Sequence, residues 1–229
     1  MEILIDSANL NSIRELTEQF PIDGVTTNPT IVVKEQMPFL PLLKEIRSII
    51  GEEKMLFVQT IGEKAEDIIN EAIYLNKEIG GNLYVKIPVT DEGIEAIKKL
   101  KNQKVKTLAT TIYTPMQAFL AAKAGAEYVA PYVNRIDNLG GNGVQVVAEI
   151  VKTFERHRLS CKVLAASFKN TQQVHHVCLE GAHGVTAAPD IINGLIVHPS
   201  TQLNVKHFRD EWKHFYGEEC DSILKTRRG

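Results

Sequence analysis

In the run NLYVKIPVT, Asn82 to Thr90, one lysine stands among Tyr84, Val85 and Ile87. Taking an ammonium out of water among apolar neighbours costs several kcal/mol, so Lys86 either faces solvent or does chemistry. Partial burial lowers an amine's pKa and exposes its lone pair, as attack on a carbonyl carbon to form a Schiff base requires. Such chemistry also needs proton transfers at the carbinolamine and at the hydroxyl whose C–C bond breaks. Tyr132 can carry a proton directly or through a water held by Gln59 and Thr110. Asp6 could orient substrate hydroxyls or interact with the lysine, and Thr26 and Asn28 are further polar candidates. Arg135 with Ser167 suggests an anion site, because a planar guanidinium forks onto phosphate oxygens and a hydroxyl adds another bond.

Each of these residues also has a plainer reading. Lys86 in an exposed antiparallel strand would simply be solvated. Tyr132 could fill an interior, Asp6 could cap a helix after Ser7, and Arg135 could pair on the surface with Asp137 or Glu127. The choice depends on the elements that hold them.

Short β-rich runs alternate with longer stretches of helical periodicity along nearly the whole chain, the pattern of repeated βα units. Strands are expected at 2–6, 24–27, 55–60, 83–88, 107–112, 128–133, 162–166 and 184–186. Helices are expected at 10–19, 38–50, 64–79, 91–101, 115–124, 143–156, 171–180 and 191–198. Thr90 and Thr114 precede helix starts, and Gly125 and Gly181 follow helix ends. Eight βα units could close into a barrel or lie open as a doubly wound sheet. The first turn, DSANL, has no glycine, so the Gly-rich phosphate loop of the open dinucleotide-binding fold is missing. Polar residues at nearly every strand end favour a single (β/α)8 TIM barrel, whose sites lie at that rim. In a barrel Val85 and Ile87 face the helices, and Tyr84 and Lys86 face inward. The barrel is expected over residues 1–199, with residues 200–229 forming an additional C-terminal helix and tail. There Val205, Phe208, Trp212 and Phe215 fall on one helical face, which packs on the barrel or on a neighbouring subunit.

Bulk properties fit a soluble globular protein. The chain has 229 residues, 44% hydrophobic and 24% charged, with a formal net charge of -2. Nucleic-acid and membrane partners are not expected at that charge and pattern. Cys161, Cys178 and Cys220 share no metal-binding spacing with each other or with the histidines, so neither a zinc site nor a disulfide framework is expected. No secretory leader pattern or ~20-residue apolar span is read, and a cytoplasmic location is expected.

At four stretches the sequence closely resembles the transaldolase family, and specifically its short subfamily, which includes the fructose-6-phosphate aldolases. They are DGVTTNPT (Asp23–Thr30), VKIPVT (Val85–Thr90), APYVNRID (Ala130–Asp137) and VLAASFKN (Val163–Asn170). The resemblance implies a (β/α)8 barrel and a class I aldolase mechanism needing no metal or cofactor, with Lys86 in the place of the Schiff-base lysine. It implies positioning roles for Asp6 and Asn28 and phosphate binding by Arg135 and Ser167. It also implies a homo-oligomer, a decamer or pentamer, in which the C-terminal helix grips a neighbour. Transaldolases of this size have Glu at the position of Gln59 and Phe at that of Tyr132. Glutamine and tyrosine here imply reversible cleavage of fructose 6-phosphate to dihydroxyacetone and glyceraldehyde 3-phosphate. Transfer of a dihydroxyacetone unit between sugar phosphates is the second reading, and an inactive sugar-phosphate-binding barrel the third.

Overall fold

A computed structural model describes residues 1–226 of the chain. Eight parallel strands close into one barrel in sequence order. They are β1 (Glu2–Asp6), β2 (Gly24–Thr26), β3 (Met55–Gln59), β4 (Leu83–Pro88), β5 (Thr107–Ile112), β6 (Tyr128–Pro131), β7 (Lys162–Ala165) and β8 (Gly184–Ala187), and β1 pairs with β8 to close the ring. The expected strand cores hold, with ends trimmed or extended by a residue or two. The surrounding helices are α1 (Leu10–Gln19), α2 (Pro29–Lys34), α3 (Phe39–Ile50), α4 (Ala65–Ile79), α5 (Asp91–Asn102) and α6 (Pro115–Ala124). They continue with α7 (Val133–Asn138), α8 (Gly143–Arg156), α9 (Thr171–Leu179) and α10 (Pro189–Gly194).

Two short helices, α2 and α7, depart from the expected pattern. Asn28 caps α2 by accepting the Ile31 amide at 3.0 Å, and Pro29 supplies the fixed φ of a first helical residue. The segment after Pro131, expected to remain strand through Val133, turns into α7 at Tyr132. The expected helix at 191–198 is also corrected. It begins earlier and stops at Gly194, while His198 instead caps the next helix by accepting the Ser200 amide.

Strand alternation sorts side chains into two cores. Outward residues such as Val25, Val58, Val85, Ile87, Val129 and Val163 join the helix-facing core. Inward residues Leu4, Met55, Phe57, Tyr84, Leu108, Tyr128 and Leu164 fill the barrel itself. Phe57 stacks on Tyr84 with ring centroids 4.6 Å apart, and both meet the edge of Tyr128, at 5.6 and 5.3 Å. Below this aromatic layer, the Tyr128 hydroxyl donates to both oxygens of Glu2, which also binds Lys162 Nζ at 2.7 Å. Burial pushes the Tyr84 phenol up to about 12, with Glu127 and Glu2 adding to the shift. The N-terminal end of the barrel is therefore plugged by packed rings and a small ionic cluster.

β5 breaks the alternation. Ala109 pairs with Val129 and Ile112 with Pro131, so β5 spends one more residue than β6 over the same stretch. The extra residue is Thr111, whose φ of 60° lies in the left-handed region. That is a costly conformation for a β-branched residue, on the order of 1–3 kcal/mol. The bulge returns Ile112 to the outer core and leaves Thr110 pointing inward.

The chain divides into two compact units, residues 1–192 and residues 193 onward, where the sequence places the division after residue 199. The second unit carries α11 (Pro199–Tyr216), ended by Gly217, and a short 3-10 turn, Ile223–Lys225. Within it Val205, Phe208 and Trp212 line a groove with Ile223, and Phe215 packs its ring on Tyr216 at 4.8 Å.

The aromatic layer makes a direct prediction. Phe57 is fully buried, so Phe57→Ala removes two ring contacts and leaves a cavity that Tyr84 and Tyr128 cannot close. Urea unfolding should register a loss of about 3–5 kcal/mol at unchanged slope. A loss under about 1 kcal/mol would mean that the rings do not carry the core.

Candidate active site

The C-terminal ends of the strands surround a polar cavity of about 110 Å³. Lining it are Asp6, Thr26, Asn28, Lys86, Thr110, Tyr132, Arg135 and Ser167, with Thr186 and the apolar Leu108, Ala130, Leu164 and Ala166. Eight of the nine residues singled out from sequence thus meet in one place although they span most of the chain.

Lys86 forms its floor. The side chain is only 6% exposed, and its amine donates to the Thr27 carbonyl at 2.7 Å. Burial holds the amine well below the usual lysine range; Asp6 opposes that shift and Arg135 adds to it. The solvated-strand reading fails, because the parallel sheet is covered on both faces. A neutral amine can still donate to a carbonyl while offering its lone pair to a substrate.

Asp6 does not cap α1; Asn9 does, accepting the Ser12 amide at 3.0 Å. Instead the Asp6 carboxylate accepts the Thr26 hydroxyl at 2.7 Å, and Thr26 shares a further 2.6 Å hydrogen bond with Thr186. This chain of hydroxyls fixes the orientation of a carboxylate aimed at the cavity. Opposite it, the Thr110 and Tyr132 hydroxyls share a hydrogen bond of 2.8 Å. The Thr111 bulge and the start of α7 set that distance, since the Tyr132 amide donates to Ile112 O at 3.0 Å. Tyr132 also meets Tyr113 edge to face and carries Arg135 over its ring, 4.5 Å from the centroid.

Arg135 is not paired with Asp137. Two residues apart on α7, they point to different sides. Asp137 accepts the Gly143 amide at 2.7 Å and the Gln173 carboxamide at 2.6 Å. The guanidinium, exposed and stacked on Tyr132, keeps its hydrogen-bond donors for a ligand. Across the mouth Ser167 lies in the left-handed region at φ 63°, and its carbonyl accepts the Asn134 amide at 2.7 Å.

Gln59 is the exception. It pairs in register with Lys86 and so shares its inward parity, but it lines an adjoining, largely apolar cavity of about 480 Å³ with Val32, Phe39, Tyr74 and others. Asn28 and Thr27 border both spaces. Of the two expected routes for the proton, directly on Tyr132 or through a water held by Gln59 and Thr110, the structure shows the Thr110–Tyr132 hydrogen bond that the first would use. Thr186 is the polar lining residue that the sequence alone did not single out. Its signal was available, as a polar residue near the end of the eighth strand.

The other buried cation shows what a structural role looks like. Arg47, 5% exposed, donates to the Gly51 and Lys54 carbonyls at 2.8 Å each and ties the end of α3 to the start of β3. Among the described residues no group of three or more His, Cys, Asp and Glu side chains could hold a metal ion, and no helix is long and apolar enough to cross a membrane.

A closed parallel (β/α)8 barrel with a buried lysine at its C-terminal rim defines the class of this protein. Comparison with known proteins narrows it. The family model described as transaldolase/fructose-6-phosphate aldolase matches residues 3–224, and the chain belongs to that family of enzymes. Among solved structures, native KDPGal superposes with a TM-score of 0.56 at 16% identity, over 82% of each chain. A flavocytochrome b2 mutant gives 0.59 at 13% identity, over 82% of this chain and 56% of its own. At such identities the two structures show that the fold is shared.

The lowered pKa of Lys86 has a testable sign. Above the ordinary lysine value of 10.5 the amine is neutral in folded and unfolded chains alike. Between that value and the lowered one only the unfolded chain binds the proton, so stability rises with pH by about 1.4 kcal/mol per unit and is lost as pH falls. Lys86→Met removes this dependence. Its stability relative to the parent should rise as pH falls through that window and level off below it, as read from urea midpoints at several pH values. A difference independent of pH would mean an ordinary lysine.

Proposed function

We propose that this protein is a class I aldolase that reversibly cleaves fructose 6-phosphate to dihydroxyacetone and glyceraldehyde 3-phosphate. The observation that carries the reading is the buried Lys86 amine facing the hydrogen-bonded Thr110–Tyr132 pair in a single cavity. The neutral amine attacks the substrate's C2 carbonyl, and loss of water from the carbinolamine gives an iminium ion. That ion accepts the electron pair released when the C3–C4 bond breaks, while the C4 hydroxyl gives up its proton and the phosphorylated aldehyde departs. Protonation of the remaining enamine at C3, followed by hydrolysis, frees dihydroxyacetone and returns the amine. Tyr132 holds and returns the proton, with Thr110 orienting the phenol. Asp6 and Asn28 order substrate hydroxyls, and Arg135 with Ser167 takes the phosphate.

Cleavage is favoured over transfer by the residues at two positions. Tyr132 places a phenol in the cavity, and Gln59 supplies no carboxylate beside the lysine. A transaldolase must hold the three-carbon enamine unprotonated until an aldose acceptor arrives, whereas a phenol within reach protonates it.

Borohydride reduction in the presence of dihydroxyacetone should add a stable mass to the peptide carrying Lys86; active enzyme with that peptide unmodified would remove the nucleophile assignment. Tyr132→Phe should lower cleavage by about 10²–10⁴-fold with the fold intact. Release of free dihydroxyacetone from fructose 6-phosphate should outpace its transfer to erythrose 4-phosphate, and the reverse order would make the protein a transaldolase.

A further inference from the structure

The guanidinium and the hydroxyl assigned to the phosphate stand on different segments. Arg135 belongs to α7, a helix of 6 residues, and Ser167 to the loop after β7. Two main-chain hydrogen bonds tie the segments at their start, from the Val133 amide to Ala166 O and from the Asn134 amide to Ser167 O. One side chain adds a bridge further along both. Gln173, in the first turn of α9, donates from Nε2 to Asp137 Oδ2 at 2.6 Å and accepts the Lys169 amide on Oε1 at 2.7 Å. Its Nε2 also lies 3.4 Å from Asn134 Oδ1, and its own amide donates to Asn170 at 2.9 Å. Asp137 carries the connection onward to the Gly143 amide that opens α8.

Gln173 lies outside the residues lining the Lys86 cavity. Its partners flank both phosphate groups in sequence: Asn134 and Asp137 bracket Arg135, and Lys169 lies two residues after Ser167.

We propose that Gln173 is a positioning residue that sets the spacing of Arg135 from Ser167, and thereby the preference for a phosphorylated over an unphosphorylated aldehyde. The proposal rests on the aldolase reading of the Lys86 site. It concerns the acceptor end and leaves the amine untouched.

The test is condensation of dihydroxyacetone with glyceraldehyde 3-phosphate and, separately, with glyceraldehyde. Gln173→Met should raise KM for the phosphorylated aldehyde roughly ten- to a hundredfold. The catalytic efficiency with glyceraldehyde, and borohydride trapping of dihydroxyacetone on Lys86, should stay within about twofold of the parent. Equal losses with both aldehydes, or no loss with either, overturn the proposal. A second pair of variants covers a Gln173→Met chain that does not fold. Gln173→Glu sets two carboxylates against each other and should show the same selective loss. Adding Asp137→Asn exchanges donor and acceptor, rebuilds the bridge and should restore the preference. Failure of the double variant to restore it also overturns the proposal. Arg135→Met separates the two levels of the argument. If it leaves the preference for phosphate intact, the anion site itself is misassigned; if it abolishes the preference while Gln173→Met does not, only the role of Gln173 fails.

Discussion

An amine enclosed by a parallel sheet is the constraint on which the rest of this structure depends. Lys86 cannot be solvated where it stands, and a chain that merely needed a strand there would use a hydrophobic residue. Its neighbours act on its charge in opposite directions. Burial and Arg135 disfavour the ammonium, Asp6 favours it, and the Thr27 carbonyl accepts from either form. The barrel makes the balance possible by holding a carboxylate, a guanidinium and a lysine from three distant parts of the chain around one small volume.

Supporting that volume takes strain and short helices at the points where regular βα geometry would misplace a side chain. In a regular β5, Ile112 would share the inward face of Thr110; the Thr111 bulge removes it and leaves a hydroxyl where Tyr132 can meet it. The departure of α7 from the end of β6 has the same logic, since a longer strand would carry Arg135 past the mouth. Regular elements build the barrel, and the exceptions aim it.

These exceptions also explain what the sequence could and could not reveal. Eight strands follow from alternation and count, closure from the glycine-free first turn and the polar strand ends, and the inward face of Lys86 from strand parity, since a slip of one residue would put every charge in the wrong layer. The signals for α2 were present in Asn28 and Pro29, but one and a half turns give too short a window for periodicity. Val133 has strand propensity and nonetheless starts a helix, because the loop after β7 offers its amide a carbonyl, that of Ala166. The Thr111 bulge has no glycine to announce it. Gln59 shows a further limit, since parity gives the direction of a Cβ and not the space that the end of a long side chain occupies.

The rings of Phe57, Tyr84 and Tyr128 close the barrel below the lysine, and Glu2 with Lys162 closes it again beneath them. The site is therefore closed at the N-terminal end of the barrel, and every molecule must both arrive and leave on the side of the strands' C-terminal ends. Under the cleavage proposed for Lys86, traffic is then forced into sequence: a departing aldehyde would have to clear the entrance before water or an incoming aldehyde could reach what stays bound. In such a geometry the order of exchange is imposed by architecture rather than by affinity.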